Sequence, residues 1–193
     1  MGILIGLALL LALAVATAAG VIYGGLIGVA ATASEPGPLR WLLETTRERS
    51  ISRRAEGIRV PDLSGDALVA AGASGFDDMC AVCHGAPGQA PFVAAEDMNP
   101  PPPHLDRGEA SELGAAERFW VIKHGIRMTG MPAWGRTHSD QEIWSLVAFL
   151  GRLPGMDADT YRHLAESDVH HHPDQGVGAR CGGDEHEREG HAH

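Results

Sequence analysis

Two cysteines and a histidine stand close together in the segment Cys80-Ala-Val-Cys83-His84. The rest of the 193-residue chain has only one more cysteine, Cys181. Thiols and an imidazole at this spacing can bind zinc, form a redox-active disulfide or attach a haem. These three chemistries need different residues elsewhere in the chain, so the surrounding sequence discriminates between them.

The zinc and disulfide interpretations each lack a required partner. A structural zinc site needs four ligands, usually from a second pair at similar short spacing, and the sequence has no second CxxC pair. Cys181 lies about a hundred residues away in a polar segment. A thioredoxin-like redox pair follows a strand, and we find no strand of convincing length in the sequence. Both interpretations are therefore disfavoured.

A c-type haem uses all three side chains, because two thiols add to its vinyl groups and the adjacent histidine ligates the iron. Residues three apart near a helix end face the same side, so both sulfurs can meet one porphyrin edge. The macrocycle would also complete the core of a domain too small to rely on apolar side chains alone. We therefore predict one covalent haem c attached to Cys80 and Cys83, with His84 as an axial iron ligand.

The second axial ligand should come from the downstream segment GIRMTGMPAWG at 125–135. Met131 is followed by Pro132, which fixes the backbone direction after it. A thioether ligand keeps the iron six-coordinate and raises its potential relative to two histidines, which suits an electron carrier. We predict Met131 as this ligand, with Met128 and then Met98 as the alternatives.

Helical patterns surround these residues on both sides. From Asp66 onward, Leu68, Gly72, Phe76 and Cys80 recur on one helical face, so this helix delivers the cysteines. A proline-rich loop at 98–105 follows, where regular hydrogen bonding is prevented.

Two further helices are predicted downstream of that loop. The first, at 115–124, stops at a glycine, and the second begins with a capping box at 139–142. Apolar residues at i, i+3, i+4 and i+7 give the second helix a buried face: Ile143, Leu146, Val147 and Leu150. With no internal repeat, the domain is predicted to be all-α.

The first 33 residues carry no charged side chain. This run exceeds the roughly 20 apolar residues that cross a bilayer and the roughly 7 to 15 residues of a cleavable signal core. We interpret 1–33 as one transmembrane anchor; the alternative is cleavage after Ala33, which ends a small-x-small pattern. Arginines follow the span closely, and the positive-inside tendency would keep them in the cytoplasm.

Residues 34–63 are predicted to be a juxtamembrane segment. Trp41, Leu42 and Leu43 precede a stretch rich in arginine, as in an element that rests on a membrane surface. A solvated linker is an equally good interpretation of the same residues.

The order of the motifs resembles that of class I, cytochrome c-like monohaem proteins. The resemblance covers about residues 64–156 and rests on GxxxFxxxCxxCHG at 72–85, the proline-bearing loop, HGIRMTGMPAWG at 124–135 and the final helix. It implies that Gly72 and Phe76 on the first helix cross the last helix at Phe149 and Leu150. It also implies an electron carrier, not an enzyme.

The resemblance implies roles for other loop residues as well. A loop proline in this family offers its carbonyl to the second nitrogen of the axial histidine, and we favour Pro102 or Pro103. Trp120, Arg127 and Trp134 are candidates to line the haem or to bind its propionates. Ordinary packing or surface positions are an equally good interpretation of these three residues. We expect His124 and His138 to be surface or loop residues rather than ligands.

Location and partners follow from the same resemblance. Bacteria attach haem c outside the cytoplasmic membrane, so the haem domain should lie in the periplasm despite the arginines. The implied partners are redox proteins: an oxidase, a quinol-oxidising complex or a periplasmic dehydrogenase. A haem-bearing subunit of a redox enzyme, or a haem-based ligand sensor, is the alternative function. The net charge of −10 argues against nucleic acid as a partner.

The remaining segment, 157–193, is predicted to be a polar, disordered tail. From His163 onward it contains seven of the eleven histidines of the chain. Imidazole, thiol and carboxylate groups bind zinc, copper or nickel, so the tail either binds such a metal weakly or is simply polar. Its candidate ligands are His170, His171, His172, Cys181 and His186. Cys181 could instead pair with a cysteine of another chain.

Overall fold

The computed structural model describes residues 2–33, 36–108 and 112–167, and within these ranges the protein is helical, which confirms the all-α prediction. The eight α-helices, in chain order, are α1 Gly2–Tyr23, α2 Gly37–Ala55, α3 Asp66–Met79, α4 Ala81–His84, α5 Val93–Glu96, α6 Ala115–His124, α7 Asp140–Leu150 and α8 Ala158–Ser167. Short 3-10 turns lie at Leu105–Arg107 and Trp134–Arg136.

Helix α1 is the one helix in the described ranges that is long and apolar enough to cross a membrane. Its 22 residues correspond to about 33 Å at the rise of an α-helix, close to the thickness of a bilayer core. The helix is shorter than the uncharged run in the sequence, because Gly24 and Gly25 follow Tyr23 and Gly25 has a φ of 63°. Residues 24–33 are thus apolar but not part of this helix.

The centre of the haem domain is a close crossing of α3 and α7. A Cβ added to Gly72 would overlap the carbonyl oxygen of Ser145 and lie 2.8 Å from the Cβ of Phe149. The rings of Phe76 and Phe149, both fully buried, pack with centroids 5.3 Å apart. The expected crossing is therefore confirmed for Gly72, Phe76 and Phe149, and the backbone that lies nearest to Gly72 is that of Ser145, which was not predicted.

Helix α6 packs beside α7, where the ring of Phe119 stacks on Trp144 with centroids 4.1 Å apart. The predicted bounds of α6 are confirmed, with Gly125 at its end. The capping box of α7 is present: the Glu142 backbone N–H donates to Ser139 Oγ, and the Glu142 carboxylate accepts from the Ser139 backbone N–H. These two helices bracket the loop that contains Met131.

Helix α8 was not predicted, since its residues fall within the segment that we interpreted as a disordered tail. It packs on α3, and the ring of Tyr161 meets that of Phe76 edge-on at 6.3 Å. The Tyr161 hydroxyl donates to Asp77 Oδ1 at 2.6 Å. Burial, and then this hydrogen bond, raise the pKa of Tyr161. The described structure therefore continues past residue 156 as a helix that covers the core.

Helix α2 excludes the free linker, one of the two interpretations of this segment. It packs on α6, with Ile51 and Ala55 buried, and the Ser52 hydroxyl donates to Glu117 Oε1. The C-terminal half of α2 is thus docked on the haem domain. Its N-terminal half leaves Trp41 and Leu42 exposed.

Candidate functional site

The two cysteines lie at the junction of α3 and α4. Cys80 ends α3, and its carbonyl accepts hydrogen bonds from the backbone N–H groups of Cys83, at 3.0 Å, and His84, at 2.9 Å. The motif therefore forms one helical turn, as its spacing predicts. Both thiols are free, with Cys80 buried and Cys83 half-buried.

Burial, followed by the neighbouring Cys83, raises the pKa of Cys80 to about 12. This thiol stays protonated at neutral pH.

The chain reverses direction directly after His84. Gly85 has a φ of 69°, in the left-handed region that glycine tolerates, and a Cβ at this position would lie 3.2 Å from Pro91 Cδ. The backbone N–H of Phe92 then donates to the Val82 carbonyl at 2.8 Å, which folds the following loop back onto α4. This reversal leaves the side chains of Val82 and Phe92 exposed next to the cysteines.

The imidazole of His84 is oriented by the proline-rich loop. Its Nδ1–H donates to the Pro103 carbonyl at 2.8 Å, so the structure selects Pro103 from the two prolines that we favoured. The pKa of His84 is lowered, mainly because the ring is buried. The hydrogen bond to Pro103 acts in the opposite direction, and the nearby His104 lowers the pKa further. The ring is thus neutral at neutral pH, and with the proton on Nδ1 its Nε2 keeps a lone pair available to a metal.

Met131 is held by the backbone of its loop. The Met131 carbonyl accepts from the Ile126 backbone N–H at 3.3 Å. The Met131 N–H donates to Thr129 Oγ1 at 3.1 Å, and the same hydroxyl donates to the Ile126 carbonyl at 2.8 Å. Sequence analysis missed Thr129, although a hydroxyl two residues before a methionine in a glycine-rich loop was a usable signal.

The structure also distinguishes the three methionines. The side chain of Met131 is half-buried and packs on the core, whereas that of Met128 is 87% exposed and its φ is 62°. The sulfur of Met98 lies against the loop backbone, since a Cβ on Gly130 would come within 2.7 Å of it. Met98 is also half-buried, so exposure separates Met128 from the other two methionines and the assignment of Met131 stays a prediction.

The other aromatic and basic residues predicted near the haem are partly buried in some cases and exposed in others. Trp134 packs on the core and meets the ring of His138 edge-on at 5.4 Å. Trp120 lies 4.9 Å from the ring of His124, and the side chain of Arg127 is exposed. His138 also contacts Thr137 Oγ1 through Nδ1, at 2.9 Å.

The metal-binding prediction for the C-terminal segment falls outside the described residues. This applies to every candidate ligand there: His170, His171, His172, Cys181 and His186. Within ranges 2–33, 36–108 and 112–167, no group of three or more histidine, cysteine or acidic side chains could hold a metal ion.

Comparison with known proteins agrees with this geometry. Residues 67–150 match the family described as cytochrome c oxidase, cbb3-type, subunit III. These residues form a cytochrome c domain. None of the curated proteins is similar enough to count as a relative of the chain. For a cytochrome c domain with a CxxCH motif, haem c is the implied cofactor and electron transfer the implied activity.

The residues of this cytochrome c domain fit a covalent haem. Two thiols lie one helical turn apart, a neutral imidazole next to them has a free Nε2, and a soft thioether lies in a loop with a fixed backbone. This donor set matches the chemistry of haem attachment and axial ligation.

Proposed function

We propose that the protein is a membrane-tethered electron carrier, with haem c bound through Cys80 and Cys83 and ligated by His84 and Met131. The observation that carries this proposal is the hydrogen bond from His84 Nδ1 to the Pro103 carbonyl, because it fixes the ring and leaves Nε2 as the nitrogen that would ligate a haem iron. A bound haem would supply one-electron redox chemistry.

The protein residues contribute orientation and a stable ligand set. Pro103 fixes the imidazole, and Thr129 and Ile126 fix the backbone on either side of Met131. A filled sixth position leaves no open site for substrate or gas, which favours a carrier over an enzyme or sensor. We further propose that α1 remains attached as the anchor and that the haem domain lies in the periplasm.

The family name favours a terminal oxidase among the partners. The matching family is that of subunit III of cbb3-type cytochrome c oxidases, so we propose an oxidase as the electron acceptor or as the complex to which this chain belongs. The exposed side chains of Val82, Phe92 and Val93, next to the cysteine motif, offer an apolar patch for a small, transient contact.

The ligand assignment is tested by comparing Met131→Ala with Met128→Ala. Loss of the thioether should remove the sixth bond, lower the reduction potential and let the ferrous protein bind carbon monoxide readily. Met131→His should restore six-coordination at a lower potential than the parent. Spectra, redox titration and carbon monoxide binding of the full-length protein measure all three effects.

Met128→Ala is the matched control because its side chain is exposed in the same loop. An open iron in Met128→Ala but not in Met131→Ala would overturn the ligand assignment. Rapid carbon monoxide binding by the parent protein would instead favour the ligand-binding alternative.

A further inference from the structure

The arginine-rich helix α2 has two different faces. Each residue turns an α-helix by about 100°, so the side of α2 opposite the buried residues Ile51 and Ala55 can be read from the sequence. The residues on that opposite side, which we call the outer face, are Leu39, Leu42, Thr46, Arg49 and Arg53, with Leu43 and Ser50 at its edge. The outer face is thus apolar in its first half and cationic in its second.

The acidic residues of α2 are sorted to the other side. Glu44 and Glu48 project within about 60° of Ile51, and Glu44 pairs with Arg40 at 2.9 Å. The outer face therefore contains no carboxylate to neutralise Arg49 and Arg53. The other three arginines of α2, Arg40, Arg47 and Arg54, lie within about 60° of Ile51, on the same side as the two glutamates. Arg49 and Arg53 share their face with the exposed Leu42 and with no carboxylate of this helix, which is the pattern of a helix that lies on a membrane surface.

The chain between the membrane span and this helix is short, since 13 residues separate the end of α1 from the start of α2. The Asn99 side-chain amide donates to the carbonyls of Ala31, at 3.0 Å, and Ala33, at 3.4 Å. The segment that leaves α1 is thereby tied to the haem domain, and α2 begins at Gly37, four residues after Ala33.

We propose that the outer face of α2 lies on the surface of the bilayer that α1 spans and binds anionic phospholipid. Leu39, Leu42 and Leu43 enter the boundary between headgroups and acyl chains, while Arg49 and Arg53 contact lipid phosphates. The inference rests on the proposed membrane tether.

This contact has two consequences. Because Ile51 and Ala55 dock α2 on the haem domain, the bilayer contact fixes the orientation of that domain relative to the membrane. It also reconciles the arginines with a periplasmic location, because binding to headgroups gives them a role on the outer side of the span.

The experiment uses the full chain with haem, inserted in lipid nanodiscs. Nitroxide labels are attached in a Cys181→Ser background at Thr46→Cys, on the outer face, or at Glu48→Cys, on the docked side. Collision of each label with oxygen, which concentrates in lipid, and with chromium oxalate, which stays in water, is measured by electron paramagnetic resonance. The discs contain phosphatidylcholine alone or with phosphatidylglycerol.

In the anionic discs, the Thr46 label should be protected from chromium oxalate and the Glu48 label should not. Arg49→Glu with Arg53→Glu should make the Thr46 label as accessible as the Glu48 label. The matched control, Arg59→Glu with Arg162→Glu, changes the charge equally outside the outer face and should leave the protection intact.

Equal accessibility of both labels, in a chain that co-purifies with the discs, would overturn this inference and leave the tether standing. A chain that does not enter the discs would overturn the tether and the inference together. Protection of Thr46 that requires an added acidic protein would show that the outer face binds a protein instead of lipid.

Discussion

Gly72→Ala tests how closely α3 and α7 approach each other. The added methyl group would overlap the Ser145 carbonyl oxygen and lie 2.5 Å from its carbon. These are backbone atoms of α7, so no side-chain rotation can relieve the overlap. The two helices would have to separate, which would disturb the packing of Phe76 on Phe149.

The matched control is Gly75→Ala, one turn further along α3. A Cβ there would meet only side-chain atoms, the nearest being Leu146 Cδ2 at 3.4 Å. Both substitutions replace a helical glycine with alanine, which by itself favours folding by about 1 kcal/mol. The difference between the two variants therefore isolates the cost of the overlap.

Overpacking a core costs about 1 to 3 kcal/mol, and contact with a backbone places Gly72→Ala at the upper end. After subtraction of the helix-propensity gain, Gly72→Ala should lose about 2 kcal/mol of unfolding free energy, whereas Gly75→Ala should stay within about 1 kcal/mol of the parent. For a domain of this size, a loss of that magnitude lowers the melting temperature by roughly 8 to 16 °C.

The assay is thermal unfolding of the full-length, haem-containing protein in detergent, followed by far-ultraviolet circular dichroism. If Gly72→Ala melts no lower than Gly75→Ala, the close crossing of α3 and α7 is wrong.

Three further predictions concern α8, the C-terminal segment and the anchor. Tyr161→Phe should cost about 1 kcal/mol at neutral pH through loss of the hydrogen bond to Asp77. Because the folded state raises the pKa of Tyr161 above its unfolded value of about 10, the unfolding free energy of the parent should fall as the pH rises above about 10. In urea unfolding, the unfolding free energy of Tyr161→Phe should fall less steeply above about pH 10 than that of the parent. Equal slopes for the two proteins would show that Tyr161 does not have a raised pKa in the folded state. Removal of residues 168–193 should leave the haem spectrum and melting temperature unchanged but weaken retention on immobilised nickel or copper, whereas removal of 157–193 should also lower the melting temperature, because it takes α8 away. If α1 is an uncleaved anchor, the mature protein should begin at or near Met1 and require detergent for extraction; a soluble periplasmic form beginning at Ser34 would show cleavage instead.

The helices that were predicted from the sequence are those with a local signal of their own. Helix α3 has an apolar period, α6 ends at a glycine, and α7 combines an apolar period with a capping box. These signals need no knowledge of the rest of the fold. The cysteine motif is equally local, because its chemistry depends on spacing within one helical turn. This is why the attachment residues could be proposed before the structure was described.

Helix α8 was missed because its apolar face is small. Only Tyr161 and Ala165 are buried, and their burial depends on α3, which lies far away in sequence. A local signal was available, since Asp157 Oδ1 accepts from the backbone N–H groups of Asp159 and Thr160, as a helix cap does. The histidine-rich composition that follows obscured it.

Two features could not be predicted because the sequence offers several residues of the same kind or because the contact joins distant positions. Four consecutive prolines have the same local chemistry, so only the folded loop distinguishes Pro103 as the partner of His84. The docking of α2 likewise depends on Ser52 and Glu117, which are 65 positions apart. Contacts of this kind are set by tertiary packing and leave no periodic trace in the sequence.

The hydrogen bonds of Asn99 to Ala31 and Ala33 limit how far the haem domain can move under the proposed topology. Ala31 lies only eight residues after the end of α1, which allows at most about 28 Å of extended chain. A tether this short converts the search for a redox partner from three dimensions to the membrane plane and raises the effective concentration of any partner in the same bilayer. It also keeps the domain beside complexes that are embedded in the same bilayer, so electrons would move laterally among neighbouring complexes and not across the width of the periplasm.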